Sequence, residues 1–167
     1  MSGDGLGMVL RDVINEDDEI IGQADNCEIE EKGLLSRVAF VVIINSKDEL
    51  LLQQRSAGKK AYPLYWSGAA AGHVNSGESY EEAASRELGE ELGIQAPLRY
   101  LGKYLSVEDR EMVATFLAYH DGPYEIERRE IEKIDFFTID RLRREMPRMK
   151  VTSFLERALV MLERRSA

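Results

Sequence analysis

Residues 72–94, GHVNSGESYEEAASRELGEELGI, contain the best-delimited element of this chain. A helix is predicted from Ser79 to Leu92. Ser79 is a good N-cap residue, and Glu82, three residues later, completes a capping box. Gly93 supplies the left-handed residue that commonly ends a helix. Local sequence therefore defines both ends of this helix.

The predicted helix is strongly acidic on one side. At about 100° per residue, Glu87, Glu90 and Glu91 project within one sector. The adjacent sector, which must face the core, contains Ala84, Leu88 and Leu92. Like charges three and four residues apart destabilise a helix by about 0.2–0.5 kcal/mol per pair, so a cation is expected nearby. Mg²⁺ is suitable because it binds carboxylates together with substrate phosphates. The alternative is an acidic face that is simply solvated.

The spacing of these residues resembles the Nudix box at every defining position. The pattern is Gly72, five residues, Glu78, seven residues, then Arg86-Glu87-Leu88-x-Glu90-Glu91-x-Gly93-Ile94. The resemblance implies an α/β fold, a Nudix-type α/β/α sandwich with a mixed sheet and a loop-helix-loop catalytic motif. It also implies an enzyme that hydrolyses a diphosphate linked to another group.

The same resemblance assigns roles within the box. By position, the catalytic carboxylates and metal ligands are Glu87, Glu90 and Glu91, and the backbone carbonyl of Gly72 completes the ligand set. Arg86 is expected to support catalysis, while Glu78 and Gly93 hold structural positions in the motif. The expected cofactor is Mg²⁺, with Mn²⁺ as a substitute.

Hydrolysis of a diphosphate also needs these residue types on chemical grounds. Diphosphate oxygens are anionic, and a protein of net charge −9 repels them further. Mg²⁺ neutralises the phosphates, stabilises the leaving phosphate and lowers the pKa of an attacking water. A carboxylate then accepts the proton, and Glu87 is one candidate for this base. The other candidates, which otherwise are exposed loop or strand-end acids, are Glu108, Asp109, Glu111 and Glu130.

A basic cluster precedes the box in this otherwise acidic chain. Arg55, Lys59 and Lys60 are predicted to bind the substrate phosphates. The alternative is that they are solubilising charges on a loop. Glu111 is a further predicted substrate-binding residue.

Three aromatic residues follow the basic cluster, namely Tyr62, Tyr65 and Trp66. They can form a wall against a base or another apolar leaving group, or they can fill the core. For Trp66 the core is the preferred interpretation.

Within the Nudix superfamily, the chain most resembles the branch of type I isopentenyl-diphosphate isomerase. The resemblance covers an early hairpin, residues 59–66 and the pair Gly72-His73. The isomerase needs a catalytic cysteine directly before that glycine, where this chain has Ala71. It also needs three metal-binding histidines, whereas this chain contains only His73 and His120.

Hydrolysis of a nucleoside di- or triphosphate, or of a nucleotide-linked diphosphate, is therefore the predicted function. Prenyl diphosphates rank second as substrates. The alternatives are an isomerase-like enzyme and a noncatalytic, nucleotide-sensing Nudix module. Three mutually repelling glutamates argue against the noncatalytic module, because sensing alone gives no chemical reason to keep them.

Apolar patterns outside the box predict a mixed sheet covered by helices. The run Val38 to Ile44 is apolar throughout and rich in β-branched residues, which predicts a buried strand in mid-sheet. The other predicted strands are an early hairpin at 9–14 and 19–24 and strands at 50–53, 98–105 and 112–119. The remaining predicted helices are 139–146, ended by Pro147, and one opening at Ser153 with a core-facing stripe of Leu155, Ala158, Leu159 and Leu162.

Composition and length limit the partners. The chain has 167 residues, with 22 basic and 31 acidic side chains, so nucleic-acid binding is not expected. The longest apolar run is seven residues, whereas a membrane helix needs about twenty. One cysteine and no secretory pattern predict a cytoplasmic protein. We expect one Nudix domain at residues 9–167 after a flexible tail at 1–8, a small-molecule diphosphate substrate, and either a monomer or a homodimer.

Overall fold

The computed structural model describes residues 8–166, without the side chain of Ser166. Its elements in chain order are β1 (Arg11–Ile14), β2 (Ile20–Ala24), α1 (Asn26–Lys32), β3 (Ser36–Ile44), β4 (Leu50–Arg55), β5 (Trp66–Ser67), β6 (Ala70–His73), α2 (Tyr80–Leu92), β7 (Arg99–Ser106), β8 (Glu111–Tyr119), β9 (Ile131–Phe137), α3 (Ile139–Glu145) and α4 (Ser153–Ser166). The predicted tail at 1–8 lies outside the described residues except for Met8. None of the helices in the described part is long and apolar enough to cross a membrane.

The main sheet is mixed, as predicted. Its strand order is β5-β4-β3-β8-β7, and β6 also pairs with β3 while β9 pairs with β4. β3 and β8 run parallel over their full length, and the other pairs are antiparallel. β3 therefore lies mid-sheet, where the apolar run of Val38 to Ile44 predicted it. The hairpin of β1 and β2 forms a separate two-stranded sheet.

Alternate residues of β3 belong to two different cores, because successive side chains of a strand point to opposite faces. One core packs against α2 and contains Ala39, Val41 and Ile43. The other contains Val38, Phe40 and Val42 together with residues of α4. From α4 it includes the predicted stripe of Leu155, Ala158, Leu159 and Leu162. The helices thus cover both faces of the sheet, which gives the predicted α/β/α sandwich.

Both predicted ends of α2 are confirmed. The Ser79 hydroxyl accepts a hydrogen bond from the Glu82 backbone N–H at 3.1 Å, and the Glu82 carboxylate accepts one from the Ser79 N–H at 2.9 Å. Gly93 has a φ of 66° and closes the helix in the left-handed conformation. Leu88 and Leu92 are fully buried, so the apolar sector faces the sheet as expected.

Several elements were not predicted. Helix α1 has a single buried residue, Ile29, so its amphipathic pattern is weak although Asp25 and Gly33 cap it. Strand β9 interleaves charged and apolar residues, and among the described strands it pairs only with β4. The short strands β5 and β6 form through tertiary pairing with β4 and β3. Such elements depend on contacts between distant segments, which local patterns do not report.

Candidate active site

Arg86 connects the loop after β6 to helix α2. Its guanidinium donates to both carboxylate oxygens of Glu78, at 2.9 and 3.0 Å, and to the His73 carbonyl at 2.9 Å. It also donates to Glu87 at 2.7 Å and more weakly to Glu90 at 3.4 Å. The hydrogen bonds that Arg86 donates to Glu78, together with the neighbouring negative charges, raise the pKa of Arg86. Arg86 therefore holds the loop and the acidic face of α2 in one arrangement.

Glu91 is the most deeply buried of the three helix carboxylates, with 6% of its surface exposed. One carboxylate oxygen accepts a hydrogen bond from the Ala71 N–H at 2.9 Å, and the other accepts one from Gln53 Nε2 at 3.2 Å. Burial raises the pKa of Glu91 to about 8, and the nearby Glu87 adds to this effect. Sequence reasoning missed Gln53, whose signal is a polar residue at a buried position of β4.

Glu87 lies directly beside the backbone of Gly72. A Cβ built on Gly72 would come within 2.1 Å of the Glu87 carboxyl carbon, so only glycine leaves room for this carboxylate. The Glu87 side chain is 13% exposed, and burial raises its pKa to about 7 although Arg86 opposes the shift. Glu90 is more peripheral, with 59% of its side chain exposed.

The acidic face of α2 lines a cavity of about 720 Å³. Glu87, Glu90 and Glu91 line it together with Gly72. Mg²⁺ prefers oxygen ligands of this kind. Because Gly72 has no side chain, its backbone and the Glu87 carboxylate can lie next to each other. Within residues 8–166 no three acidic, histidine or cysteine side chains are placed so that they could hold a metal ion by themselves. The donor chemistry nevertheless fits an open, substrate-completed site.

A second cavity, of about 640 Å³, lies beneath α1. It shares a wall with the acidic cavity, because Lys59, Ala71, Gly72 and His73 line both. Its other polar lining residues include Arg55, Tyr62, Ser67, Asp109, Glu111 and Thr152. The residues of the Gly72 segment thus separate a carboxylate-rich cavity from a mixed polar and apolar one.

Glu111 and His73 face each other in the second cavity. The distance from Glu111 Oε1 to His73 Nε2 is 4.0 Å, and no other ionic partner of Glu111 occurs in the described part of the chain. Burial raises the pKa of Glu111 to about 7 and lowers the pKa of His73 to about 4. The His73 Nδ1 atom is buried without a hydrogen-bond partner. Both side chains therefore retain unused hydrogen-bonding capacity in the cavity.

The predicted basic cluster is divided in the structure. Arg55 lines the second cavity, where its guanidinium donates to the Ala61 carbonyl at 2.8 and 3.0 Å. Lys59 lines both cavities and forms an ion pair with Glu130. Lys60 instead points to solvent, with 83% of its side chain exposed and an ion pair to Glu30. The structure therefore brings two of the three basic residues to the cavities.

The three predicted aromatic residues also have different surroundings. Tyr62 lines the second cavity and donates a hydrogen bond to Asp109 at 2.6 Å, which raises the Tyr62 pKa to about 12. Tyr65 packs on Tyr62 with 5.4 Å between ring centroids. Trp66 packs edge-on against Phe137 in the α4-side core. The core interpretation of Trp66 is confirmed.

The candidate bases occupy different places. Glu130 lines the acidic cavity with Glu87, whereas Glu111 and Asp109 line the second cavity. Asp109 already accepts hydrogen bonds from Tyr62 and from the Ser106 hydroxyl. Glu108 is exposed. Glu87 and Glu130 are thus the candidates nearest to the acidic face of α2.

A family profile described as the NUDIX domain matches residues 34–156. The chain belongs to the Nudix family. The matched region includes the whole box at residues 72–94 and both cavity walls formed by Gly72, while the β1-β2 hairpin precedes it. The expected Nudix fold and the hydrolase family are confirmed.

Individual relatives support the same family. An uncharacterized Nudix hydrolase of Pseudomonas aeruginosa is 40% identical over 126 residues, which cover 74% of this chain and 75% of that protein. Isopentenyl-diphosphate Delta-isomerase 2 of Photorhabdus laumondii is 36% identical over 93 residues, covering 56% of this chain and 52% of the isomerase. The crystal structure of DR0079 from Deinococcus radiodurans aligns with a TM-score of 0.75 and 25% identity, over 86% of this chain and 92% of that one. Nudix hydrolases act on small-molecule substrates and generally use a divalent metal.

The two histidines of this Nudix chain lie far apart, whereas the metal site of an isomerase requires its histidines to be close together. His73 pairs with Val38 near the start of β3, whereas the His120 N–H donates to the carbonyl of Ile44 at its end. Ile44 lies six positions after Val38 on the strand, a distance of about 20 Å. Cys27 is exposed on α1 and lines neither cavity, so it does not replace the cysteine missing at Ala71.

Proposed function

We propose that this protein is a Mg²⁺-dependent hydrolase that cleaves a phosphoanhydride bond in a nucleoside di- or triphosphate or in a nucleotide-linked diphosphate. The observation that carries the proposal is the position of the buried carboxylate of Glu91 and the partly buried carboxylate of Glu87 at an open cavity beside Gly72. Burial of acidic groups without a full set of cations is costly, so such groups commonly serve a bound ion or a reaction.

The residues that would hold Mg²⁺, or Mn²⁺ in its place, are Glu87, Glu90, Glu91 and the carbonyl of Gly72. The bound ion would supply neutralisation of the diphosphate oxygens and a lower pKa for an attacking water. Arg86 keeps Glu87 and Glu90 oriented toward one side of the cavity. Glu130, on the cavity wall, is available to accept a proton, with Lys59 fixing its position.

The polar lining of the second cavity favours a substrate whose organic part carries hydrogen-bond donors. Its volume of about 640 Å³ is in the usual range for a small-molecule site. Glu111 and the His73 ring would be left without donors if a hydrocarbon chain filled this space, and an unpaired buried polar group is strongly unfavourable. A sugar or a nucleobase provides such donors. This argument favours nucleotide-type substrates over prenyl diphosphates.

The second candidate function is isomerisation of isopentenyl diphosphate, because a relative with that name matches 56% of the chain. Proton transfer to and from an alkene needs an acid and a base on opposite faces of the carbon skeleton. Ala71 supplies neither, and the separation of His73 from His120 leaves the histidine site of an isomerase incomplete.

The test is product analysis with a substrate panel. Nucleoside di- and triphosphates, dinucleotides, nucleotide sugars and isopentenyl diphosphate would be incubated with Mg²⁺ in ¹⁸O-labelled water and followed by phosphorus NMR, with Glu91→Gln as the matched variant. We expect label in a phosphate product of the wild type and none from Glu91→Gln. Formation of dimethylallyl diphosphate would establish the isomerase instead, and tight metal binding without turnover would favour a sensing module.

A further inference from the structure

The N-terminal hairpin is attached to the loop that precedes α2, although it lies outside the region matched by the family profile. The Ser76 hydroxyl donates to the buried carboxylate of Asp12 at 2.6 Å, and the Ser76 N–H donates to the Leu10 carbonyl at 2.9 Å. The residue between these two contacts is Arg11, the first residue of β1. The hairpin therefore brings Arg11 to the wall of the acidic cavity.

The guanidinium of Arg11 has an unusual set of partners. One N–H group donates to Asn26 Oδ1 at the start of α1, while Nε is buried with no hydrogen-bond partner. Among the described residues no carboxylate forms an ion pair with Arg11, whereas Arg86 and Lys59, on the same cavity, both have one. Burial lowers the pKa of Arg11, and the charges of Glu111 and Glu30 only partly oppose it. An arginine held in this way is ready for an anionic ligand.

The position of Arg11 indicates that its anionic ligand is a phosphate group. Arg11 lines the cavity of Glu87 and Glu91, and its partner Asn26 lines the cavity beneath α1, so its guanidinium stands where the two cavities adjoin. A nucleotide-linked diphosphate with its organic part beneath α1 must carry its phosphates past this junction. Guanidinium groups bind phosphate oxygens through two parallel N–H donors.

We propose that Arg11 binds a diphosphate oxygen of the substrate and that the N-terminal hairpin is thereby part of the binding site. This inference rests on the proposed function for the identity of the ligand. It assigns a substrate contact to a segment that the Nudix box and the family profile do not include.

The test measures binding, so that it does not depend on turnover. Imidodiphosphate, whose P–N–P bridge resists hydrolysis, would be titrated calorimetrically in the presence of Mg²⁺ into wild type, Arg11→Gln, Arg11→Lys and Arg99→Gln. Arg99 is an exposed arginine on β7 that lines neither cavity, so its variant controls for the loss of one positive charge.

We expect Arg11→Gln to weaken imidodiphosphate binding by about 10- to 100-fold, as for the loss of a charged hydrogen-bond donor. Arg11→Lys should recover part of the affinity, and Arg99→Gln should bind as wild type does. Unchanged affinity of a folded Arg11→Gln would overturn the proposal.

Failure of the proposed function gives a different result. If the wild type hydrolyses no nucleotide but binds imidodiphosphate in an Arg11-dependent way, the assignment of Arg11 stands and the reaction is wrong. If nucleotides are hydrolysed while Arg11→Gln keeps both its affinity and its KM, the reaction stands and the assignment of Arg11 is wrong. Absence of imidodiphosphate binding to the wild type counts against Arg11 as a diphosphate ligand.

Discussion

Gly72 and Glu87 occupy adjoining space so closely that a Cβ on residue 72 would lie 2.1 Å from both the carboxyl carbon and one carboxylate oxygen of Glu87. The backbone of Gly72 is paired with Ala39 in the sheet and cannot retreat, whereas the end of the Glu87 side chain can move. The glycine of the box is therefore required by the position of a carboxylate, and its backbone conformation is an ordinary one.

Gly72→Ala should displace the Glu87 carboxylate while leaving the fold intact. We expect at least a 10-fold loss of kcat/KM, since displacing a catalytic group by about 1 Å has large effects. Steady-state kinetics and a thermal melt check both parts. Gly22→Ala is the matched control, because nothing lies within 4 Å of a Cβ built there. If Gly72→Ala lowers activity equally in a Glu87→Gln background, the steric explanation is wrong.

Glu91→Gln should abolish Mg²⁺-dependent turnover, with a loss of about 100-fold or more, because one negative ligand of the metal is removed. The fold should persist, since the amide oxygen can still accept the hydrogen bond from the Ala71 N–H and a buried charge is removed. Initial rates and circular dichroism measure the two effects. Retention of most activity would refute the ligand assignment.

Arg86→Ala should lower stability as well as rate. The variant loses the paired hydrogen bonds to Glu78 and leaves Glu87 without its cation. Because Arg86 is partly exposed, we expect about 2 kcal/mol of destabilisation, or a fall in Tm of about 4–8 °C. Arg86→Lys keeps the charge but not the planar arrangement of N–H donors, so its melting temperature should lie between those of the wild type and Arg86→Ala. An unchanged melting temperature in Arg86→Ala would contradict this role.

Stability of the metal-free protein should fall as pH rises from about 6.5 to 8. Burial raises the pKa values of Glu87, Glu91 and Glu111 to between about 7 and about 8, so the folded chain binds more protons than the unfolded chain in this window. His73 acts oppositely but only below its unfolded pKa near 6.5, since its folded pKa is about 4. Urea unfolding in EDTA measures the slope. Glu91→Gln should flatten it, and a rise in stability across the window would refute the prediction.

Mg²⁺ should reverse this loss of stability, because an ion that binds only the folded chain stabilises it by RT ln(1 + c/Kd), which increases with the Mg²⁺ concentration c. The melting temperature at pH 8 is expected to rise with Mg²⁺ in the wild type but much less in Glu91→Gln. An equal rise in both proteins would place the ion elsewhere.

Local sequence determined helix α2 almost completely. Ser79 with Glu82, and Gly93, specify the two ends of α2 through hydrogen bonds within a few residues, and the spacing of the box specifies which side chains share its face. The apolar run of β3 likewise reported its own burial. These features depend on contacts between near neighbours or on a repeating pattern, so they can be read without the tertiary structure.

Tertiary structure alone decided how the rest of the site is assembled. Lys59 and Lys60 are adjacent in sequence but have different surroundings, because Lys59 lies on a cavity wall and pairs with Glu130, whereas Lys60 is exposed and pairs with Glu30 of α1. Gln53 donates a hydrogen bond to Glu91, which is 38 positions later in the sequence. Arg11 lines the acidic cavity although its hairpin precedes the box in sequence. The physical reason is that burial, desolvation and cavity shape arise from packing between distant segments, whereas sequence patterns report the segments one at a time.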